Sequence, residues 1–291
     1  MVLSDIEARI KAKIEAVGTP LKNWDIQINY GIKTGFNEAF IIDGAKREEL
    51  LKKSPEADEI IRPILRGKDI RKNNIEFGDK WLLFIPWHFP LHENPSITGS
   101  SNLAEQAFIA KYPAIYNHLL GFKDKLVKRN QAETGIRYEW YALQRCANTY
   151  YKEFDEEKLV YSEIVREPQF CLDFNKMIVN DTCFIMTGKK LKYILAALNS
   201  DLVLYFYKKF YAGGGLGEDG IRYKKIFLEK LPIPKVSHFD EQIIYDLVDL
   251  IYLESSIANE NMKMIDELFL KYYQISEEEK SEIYFKSQQS L

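Results

Sequence analysis

Between Pro63 and Pro86 the chain reads PILRGKDIRKNNIEFGDKWLLFIP, and no other stretch narrows the choice of fold as much. It sets five cations, Arg66, Lys68, Arg71, Lys72 and Lys80, on a turn-rich approach to an apolar run from Trp81 to Ile85. Only Asp69, Glu76 and Asp79 relieve the positive charge. The apolar run predicts a hydrophobic strand, and the cations before it are then held at the edge of a core, where phosphate can meet them.

The charge of the whole chain hides this. A formal net of -3 looks unsuited to a polyanion, but residues 236 to 291 hold 4 Lys and Arg against 12 Asp and Glu, a net of -8. Residues 1 to 235 keep 36 against 31, a net of +5. The front suits a polyanion and the tail does not. With 291 residues, 46% of them hydrophobic and 13% aromatic, one or two domains with a sizeable core are expected.

Cys146, Cys171 and Cys183 lack the close spacing of a zinc or redox motif, and read as buried reduced thiols of a cytoplasmic protein. The start, MVLSDIEARIKAKIEA, has charges every few residues and is not a secretory signal. The longest apolar stretch, Leu191 to Tyr207, is interrupted by Lys192, Asn199, Ser200 and Asp201, so a buried helix is expected and no membrane partner.

Local patterns divide the chain into mixed elements. An amphipathic helix to about Val17 stops at Gly18 and Pro20. WDIQINY alternates as a half-buried strand does. The turn GIKTGFN then leads into AFIID, either as a hairpin-like loop whose Lys33, Thr34 and Asn37 touch a ligand or as a plain β-turn; Gly31 and Gly35 permit close approach or positive φ. Short helices are expected near Arg47 to Lys53 and Asp58 to Leu65, and further helices over Asn102 to His118 and Leu119 to Lys128. KLVYSEI, FCLDF and CFIMTG read as successive strands and Lys189 to Tyr207 as the most hydrophobic helix. Strands and helices without regular alternation predict an α+β fold, an irregular mixed α/β domain over residues 1 to 235, followed by a C-terminal helical segment over 236 to 291.

LPIP at 231 to 234 is the break before that segment. Beyond it Ile243, Ile244, Leu247, Leu250, Ile251, Ile257, Met264, Ile265 and Leu268 form one apolar stripe on one or two long helices. Such a stripe must pack on something: its own domain, a methyltransferase module, or another subunit.

Catalytic patterns are weak. Asn94-Pro95-Ser96 is the nearest approach to the Asn-Pro-Pro-aromatic motif of amino-methyltransferases and does not match it. Gly215 to Gly220 spells GxGxxG but follows a helix where a strand is needed. Glu156-Glu157-Lys158 and Glu278-Glu279-Lys280 each satisfy only half of a nuclease Mg²⁺ pattern, and read as a helix-to-strand turn and a solvated helix end. His88 and His92 have metal-pair spacing, but Pro86 and Pro90 argue against the helix it requires. No catalytic residue is assigned, and no cofactor or metal is expected in this chain.

Binding groups are plentiful by comparison. Glycines between Gly213 and Gly220 form a loop that either orders on a ligand or is an ordinary flexible turn, with Arg222, Lys224 and Lys225 just after it as phosphate partners. From Leu126 to Arg145, Lys128, Arg129, Arg137 and Arg145 alternate with Tyr138, Trp140 and Tyr141. Gln131, Arg137 and Gln144 have the chemistry to read base edges, Arg129 and Arg137 to contact DNA; Trp140 and Leu143 read as core anchors.

Several of these segments, in this order, resemble the TaqI-like C-terminal specificity domain, the target-recognition part of type IIG restriction-modification enzymes and adenine-specific DNA methyltransferases. They are GIKTGFNEAFIID at 31 to 43, the basic segment at 63 to 86 and YPAIYNHLLGFKDKLVKR at 112 to 129. YEWYAL at 138 to 143, EKLVYSEI at 157 to 164, ILAALNSDL at 194 to 202 and FLEKLPIP at 227 to 234 complete the set, which spans roughly residues 25 to 235. The resemblance implies sequence-specific recognition of double-stranded DNA on behalf of a methyltransferase, and in some members an endonuclease. The expected DNA-binding residues are Lys33, Thr34, Asn37, Arg66, Lys68, Arg71, Lys72, Arg129, Gln131, Arg137, Gln144, Arg222, Lys224 and Lys225. S-adenosylmethionine, and Mg²⁺ where a nuclease is present, are expected in a catalytic module that this chain lacks, either an N-terminal module or a separate methyltransferase subunit. A protein-interaction module without DNA specificity and an enzyme with an unrecognised site are the alternatives.

Overall fold

In a computed structural model that describes residues 3–212 and 220–289, without the side chains of 285–289, the chain is organised around two four-stranded sheets. The first runs in the order Phe170–Asp173, Lys158–Ser162, Cys183–Gly188, Ile26–Tyr30, antiparallel throughout. Apart from the edge strand Ile26–Tyr30, its strands are buried on both faces because their side chains alternate between two cores. Leu159, Tyr161, Phe170, Leu172, Phe184 and Met186 enter one core, and Val160, Cys171, Cys183 and Ile185 the other. This sheet is therefore a shared wall.

The first core is closed by the helices Asp5–Val17, Leu191–Leu198, Asp201–Phe206, His238–Leu253 and Ala258–Tyr272. The acidic segment thus turns Ile244, Leu247, Ile251 and Ile265 of its stripe, together with Val248 and Phe269, inward onto Ile10, Ile14 and the 191–206 region, whereas Leu250 and Met264, expected in the stripe, are exposed. Its end also pairs with the first helix, through Arg9 to Glu278 at 2.8 Å and Lys13 to Glu279 at 2.6 Å. The second core lies under the other sheet, in the order Ile178–Val179, Ile61–Leu65, Lys80–Leu83, Ile41–Asp43. Helices Gly44–Lys53, Asn102–Lys111, Pro113–Leu120 and Lys123–Lys128 cover it. Among the described residues no helix is long and apolar enough to cross a membrane.

Three local expectations are corrected. Residues 58–65 are not a helix: a 3₁₀ turn at Pro55–Glu59 gives way to the strand Ile61–Leu65, where adjacent isoleucines and Pro63 disfavour helix. GIKTGFN does not turn a hairpin. Ile26–Tyr30 pairs with Cys183–Gly188 in one sheet and Ile41–Asp43 with Lys80–Leu83 in the other, so the loop crosses between sheets. The hydrophobic helix from 189 to 207 is broken at Asn199 and Ser200, where Ser200 caps the next helix by accepting the Val203 N–H. The irregular α+β architecture with C-terminal helices is as expected.

Candidate nucleic-acid interface

The crossing loop is built by close approach. A side-chain carbon on Gly31 would collide with the Asn180 carbonyl, and Gly35 holds φ at +79°, so both glycines are required. Ile32 N–H donates to the Val179 carbonyl at 2.8 Å, Lys33 and Arg145 exchange backbone bonds at 3.1 and 2.9 Å, and Gln144 N–H reaches the Thr34 carbonyl at 3.4 Å. Thr34 Oγ1 donates to Asn37 Oδ1 at 2.6 Å and accepts Phe36 N–H at 3.1 Å, which turns the Asn37 amide nitrogen away from Thr34. Lys33 to Glu38 and Asp181 line a cleft of 390 Å³. The Gln144 side chain stands beside it, since a carbon added to Gly35 would lie 2.7 Å from Gln144 Oε1.

Arg129 lies underneath these groups. Its Nη1 donates to the Thr34 carbonyl at 2.6 Å, and Nη2 to the carbonyls of Trp140, at 3.2 Å, and Ala142. The guanidinium sits between the rings of Phe40 and Tyr138, at 5.3 and 5.7 Å. Burial pulls its pKa down to about 10, so it remains a cation at neutral pH. The sequence suggested a DNA contact here; the structure instead commits this side chain to main-chain carbonyls of the fold. Gln131 is exposed on the turn that follows. Arg137 is exposed as well, paired with Glu133 at 2.7 Å and 5.5 Å from the Trp87 ring centre. Tyr138, Trp140, Tyr141 and Leu143 are core residues, as the sequence indicated.

The basic segment divides into a locked arginine and freer cations. Arg66 binds Asp69 through Nε at 2.9 Å and Nη2 at 2.9 Å, and its own N–H donates to the same carboxylate at 2.8 Å. Burial works against the Asp69 carboxylate, yet Arg66 outweighs it and holds the pKa below the usual range. Lys68 is exposed on this 3₁₀ turn. Arg71 and Lys72 belong to a small hairpin, Ile70–Arg71 with Asn74–Ile75, and pair with Glu76 at 3.1 Å and Asp201 at 3.7 Å.

A third group forms where Ile221–Arg222 pairs with Ile164–Val165. Arg222 Nε donates to Glu163 at 2.7 Å, and Lys225 Nζ to the Ile28 carbonyl at 2.7 Å. Lys224 and Lys225 line a 460 Å³ cleft with Tyr30, Glu163, Phe184, Ile226 and Glu229. Of the glycine loop before them, residues 213–219 lie outside the described residues.

Parts of these groups meet at one short segment, residues 180–182. Asp181 lines the first cleft, Asn180 N–H donates to the Leu65 carbonyl at 3.0 Å, and the Thr182 carbonyl accepts Glu163 N–H at 3.0 Å. Gly67 approaches Ser162 closely, with Thr182 at ordinary contact distance. Sequence reasoning passed over Asp181, Thr182, Glu163 and Tyr30; the short Asn180-Asp181-Thr182 turn ahead of CFIMTG was the available signal.

Among the described residues of the weak catalytic patterns, His88, Lys158, Glu278 and Glu279 have structural roles. His88, at φ +61°, pairs through Nδ1 with the buried Glu139 at 3.0 Å. Lys158 forms a fully buried ion pair with Asp173 at 2.6 Å, while Glu278 and Glu279 bind the first helix. Among the described residues no three His, Cys, Asp or Glu side chains converge as a metal site.

Known proteins share this fold. The solved structure of the Type IIL restriction-modification enzyme MmeI in complex with DNA shares the fold at a TM-score of 0.61 and 13% identity, over 94% of this chain and 36% of that one. The type IIG restriction endonuclease BpuSI gives 0.49 at 16% identity, over 93% and 34%. The chain thus spans about a third of the length of these enzymes. The type II methyltransferase M.MjaIV of Methanocaldococcus jannaschii is 24% identical over 234 residues, 78% of this chain and 71% of that protein. The TaqI-like C-terminal specificity domain matches residues 62–233, more than half of the chain. The chain belongs to the TaqI-like C-terminal specificity domain family.

Proposed function

We propose that this chain reads a specific sequence in double-stranded DNA and positions a methyltransferase, with or without an endonuclease, of a restriction-modification system. The observation that carries the reading is convergence of segments distant in sequence: 33–37 line a cleft with Asp181 beside Gln144, the basic segment starts from Leu65, whose carbonyl binds Asn180 N–H, and Arg222 pairs with Glu163, whose N–H binds the Thr182 carbonyl. The family and its likeness to restriction-modification proteins support it.

The two kinds of group divide the labour. Lys68, Arg71, Lys72, Arg222, Lys224 and Lys225 meet backbone phosphates, a sequence-independent grip that fixes register. Lys33, Asn37 and Gln144 face base edges, with the buried Thr34 holding Asn37 in place; an Asn or Gln amide can bond adenine N6 and N7 together, and Lys can reach guanine O6 and N7. Gln131 and Arg137 flank them. Arg129 and Arg66 hold the loops from inside. S-adenosylmethionine, and Mg²⁺ for any nuclease, belong to a catalytic module on the same polypeptide or on a partner subunit.

The test is selection from random duplex DNA across a salt series, with sequencing of what is retained. An enriched motif whose affinity falls steeply with salt is expected. Absence of binding at low salt would defeat this reading in favour of a protein-interaction module.

A further inference from the structure

Of the segment ILAALNSDL only Asp201 enters the interface described above, through Lys72, yet its break joins the basic hairpin to the rest of the molecule. Asn199 is completely buried. Its Oδ1 accepts Phe170 N–H at 3.1 Å, and its Nδ2 donates both to the Phe170 carbonyl at 2.9 Å and to Asn73 Oδ1 at 2.7 Å. Asn73 sits at φ +57° in the turn of the hairpin that carries Arg71 and Lys72, and its N–H shares the Phe170 carbonyl at 3.0 Å. The next two residues each hold another element. Ser200 Oγ donates to Asp266 of the helix Ala258–Tyr272 at 2.6 Å, and Asp201 lies 3.7 Å from the Lys72 ammonium.

We infer that Asn199 is a positioning residue for phosphate contact: through Asn73 it fixes the hairpin so that Arg71 and Lys72 face the DNA backbone together. The inference rests on the DNA-reading function proposed above. A two-residue turn with lysine at its tip gains nothing from burying an asparagine beneath it unless the tip must stay in one place. The side-chain amide of Asn199 satisfies a strand edge and the turn at once, so hairpin and sheet move as one body. Asp201 is largely exposed and holds Lys72 at a distance longer than a hydrogen bond, an arrangement in which a phosphate oxygen replaces the carboxylate readily.

The test is a cycle on the whole chain. Asn199→Asp removes the donor toward Asn73 and the Phe170 carbonyl, and Asn73→Gly removes only the hairpin-side acceptor while suiting the left-handed backbone. Affinity for duplex DNA is measured from low to high salt, beside thermal melting, in the native background and with Arg71→Ala and Lys72→Ala together. Both variants are expected to weaken binding several-fold and to flatten the slope of log affinity against log salt by about one to two. Neither should weaken it further when Arg71 and Lys72 are already gone. An unchanged slope, or an equal loss in both backgrounds, overturns the inference and leaves the DNA-reading function standing. Failure of the native chain to bind DNA overturns both. Should Asn199→Asp fail to fold, Asn73→Gly decides alone.

Discussion

The Arg129 guanidinium ties the loop of Thr34 to the segment of Trp140 and Ala142; it donates to all three carbonyls, of which the Thr34 carbonyl also accepts Gln144 N–H. Its planar fork reaches them in a way that a lysine ammonium cannot reproduce, although the charge would be the same. Arg129→Ala strands acceptors that each cost about 1–3 kcal/mol when left unpaired, reduced where water can enter, so a loss of about 2–4 kcal/mol is expected in denaturant unfolding. Arg129→Lys should recover about half of that. On DNA the same lysine variant should lose discrimination between sequences while keeping its salt dependence, because the reading loop slackens and the phosphate contacts stay. Arg129→Lys with native stability and native selectivity would show that Gly35 and the backbone bonds hold the loop without it.

Among the elements, the edge strand Phe170–Asp173 of the shared wall and its neighbour Lys158–Ser162 are joined at opposed positions by Lys158 and Asp173, 2.6 Å apart and with no exposed surface. Lys158 also donates to the Phe154 carbonyl at 2.7 Å, and burial lowers its pKa. Asp173 accepts the Asn175 and Met177 N–H groups, each at 2.8 Å. Asp173→Ala leaves a buried ammonium without its carboxylate and frees two turn amides, a loss of about 3–5 kcal/mol. Lys158→Met should cost less, because the Asp173 carboxylate retains both N–H donors; equilibrium unfolding of the two variants checks the order, and the reverse order would place the weight on the Phe154 carbonyl. The strands themselves were legible, since KLVYSEI, FCLDF and CFIMTG have the right composition. Their burial on both faces was not, because alternation between two cores looks like a continuous apolar run. The crossing loop shows the same limit. Gly31, Gly35, Lys33, Thr34 and Asn37 could be marked from the sequence, but the partners that give them meaning, Asn180, Asp181 and Gln144, are more than a hundred residues away. The Arg129 carbonyls could not be marked at all, since main-chain acceptors leave no residue type to read.

For the molecule as a whole, the decisive quantity is how much of the first core the acidic segment supplies. Ile244, Leu247, Val248, Ile251, Ile265 and Phe269 are buried against Ile10, Ile14 and the helices between 191 and 206. At about 1.5–3 kcal/mol for each buried side chain, their removal costs on the order of 10 kcal/mol. That equals most of the roughly 5–15 kcal/mol by which a domain is stable. A chain ending at residue 235 is therefore expected to lose cooperative melting and near-ultraviolet circular dichroism, and to bind an apolar dye where the helices had lain. If it instead melts cooperatively and binds duplex DNA like the whole chain, residues 1–235 are an autonomous reader. The segment's charge then becomes the reason to keep it: eight net negative charges, carried by a segment that covers the first core, oppose a polyanion there and leave its approach to the net-positive residues 1 to 235.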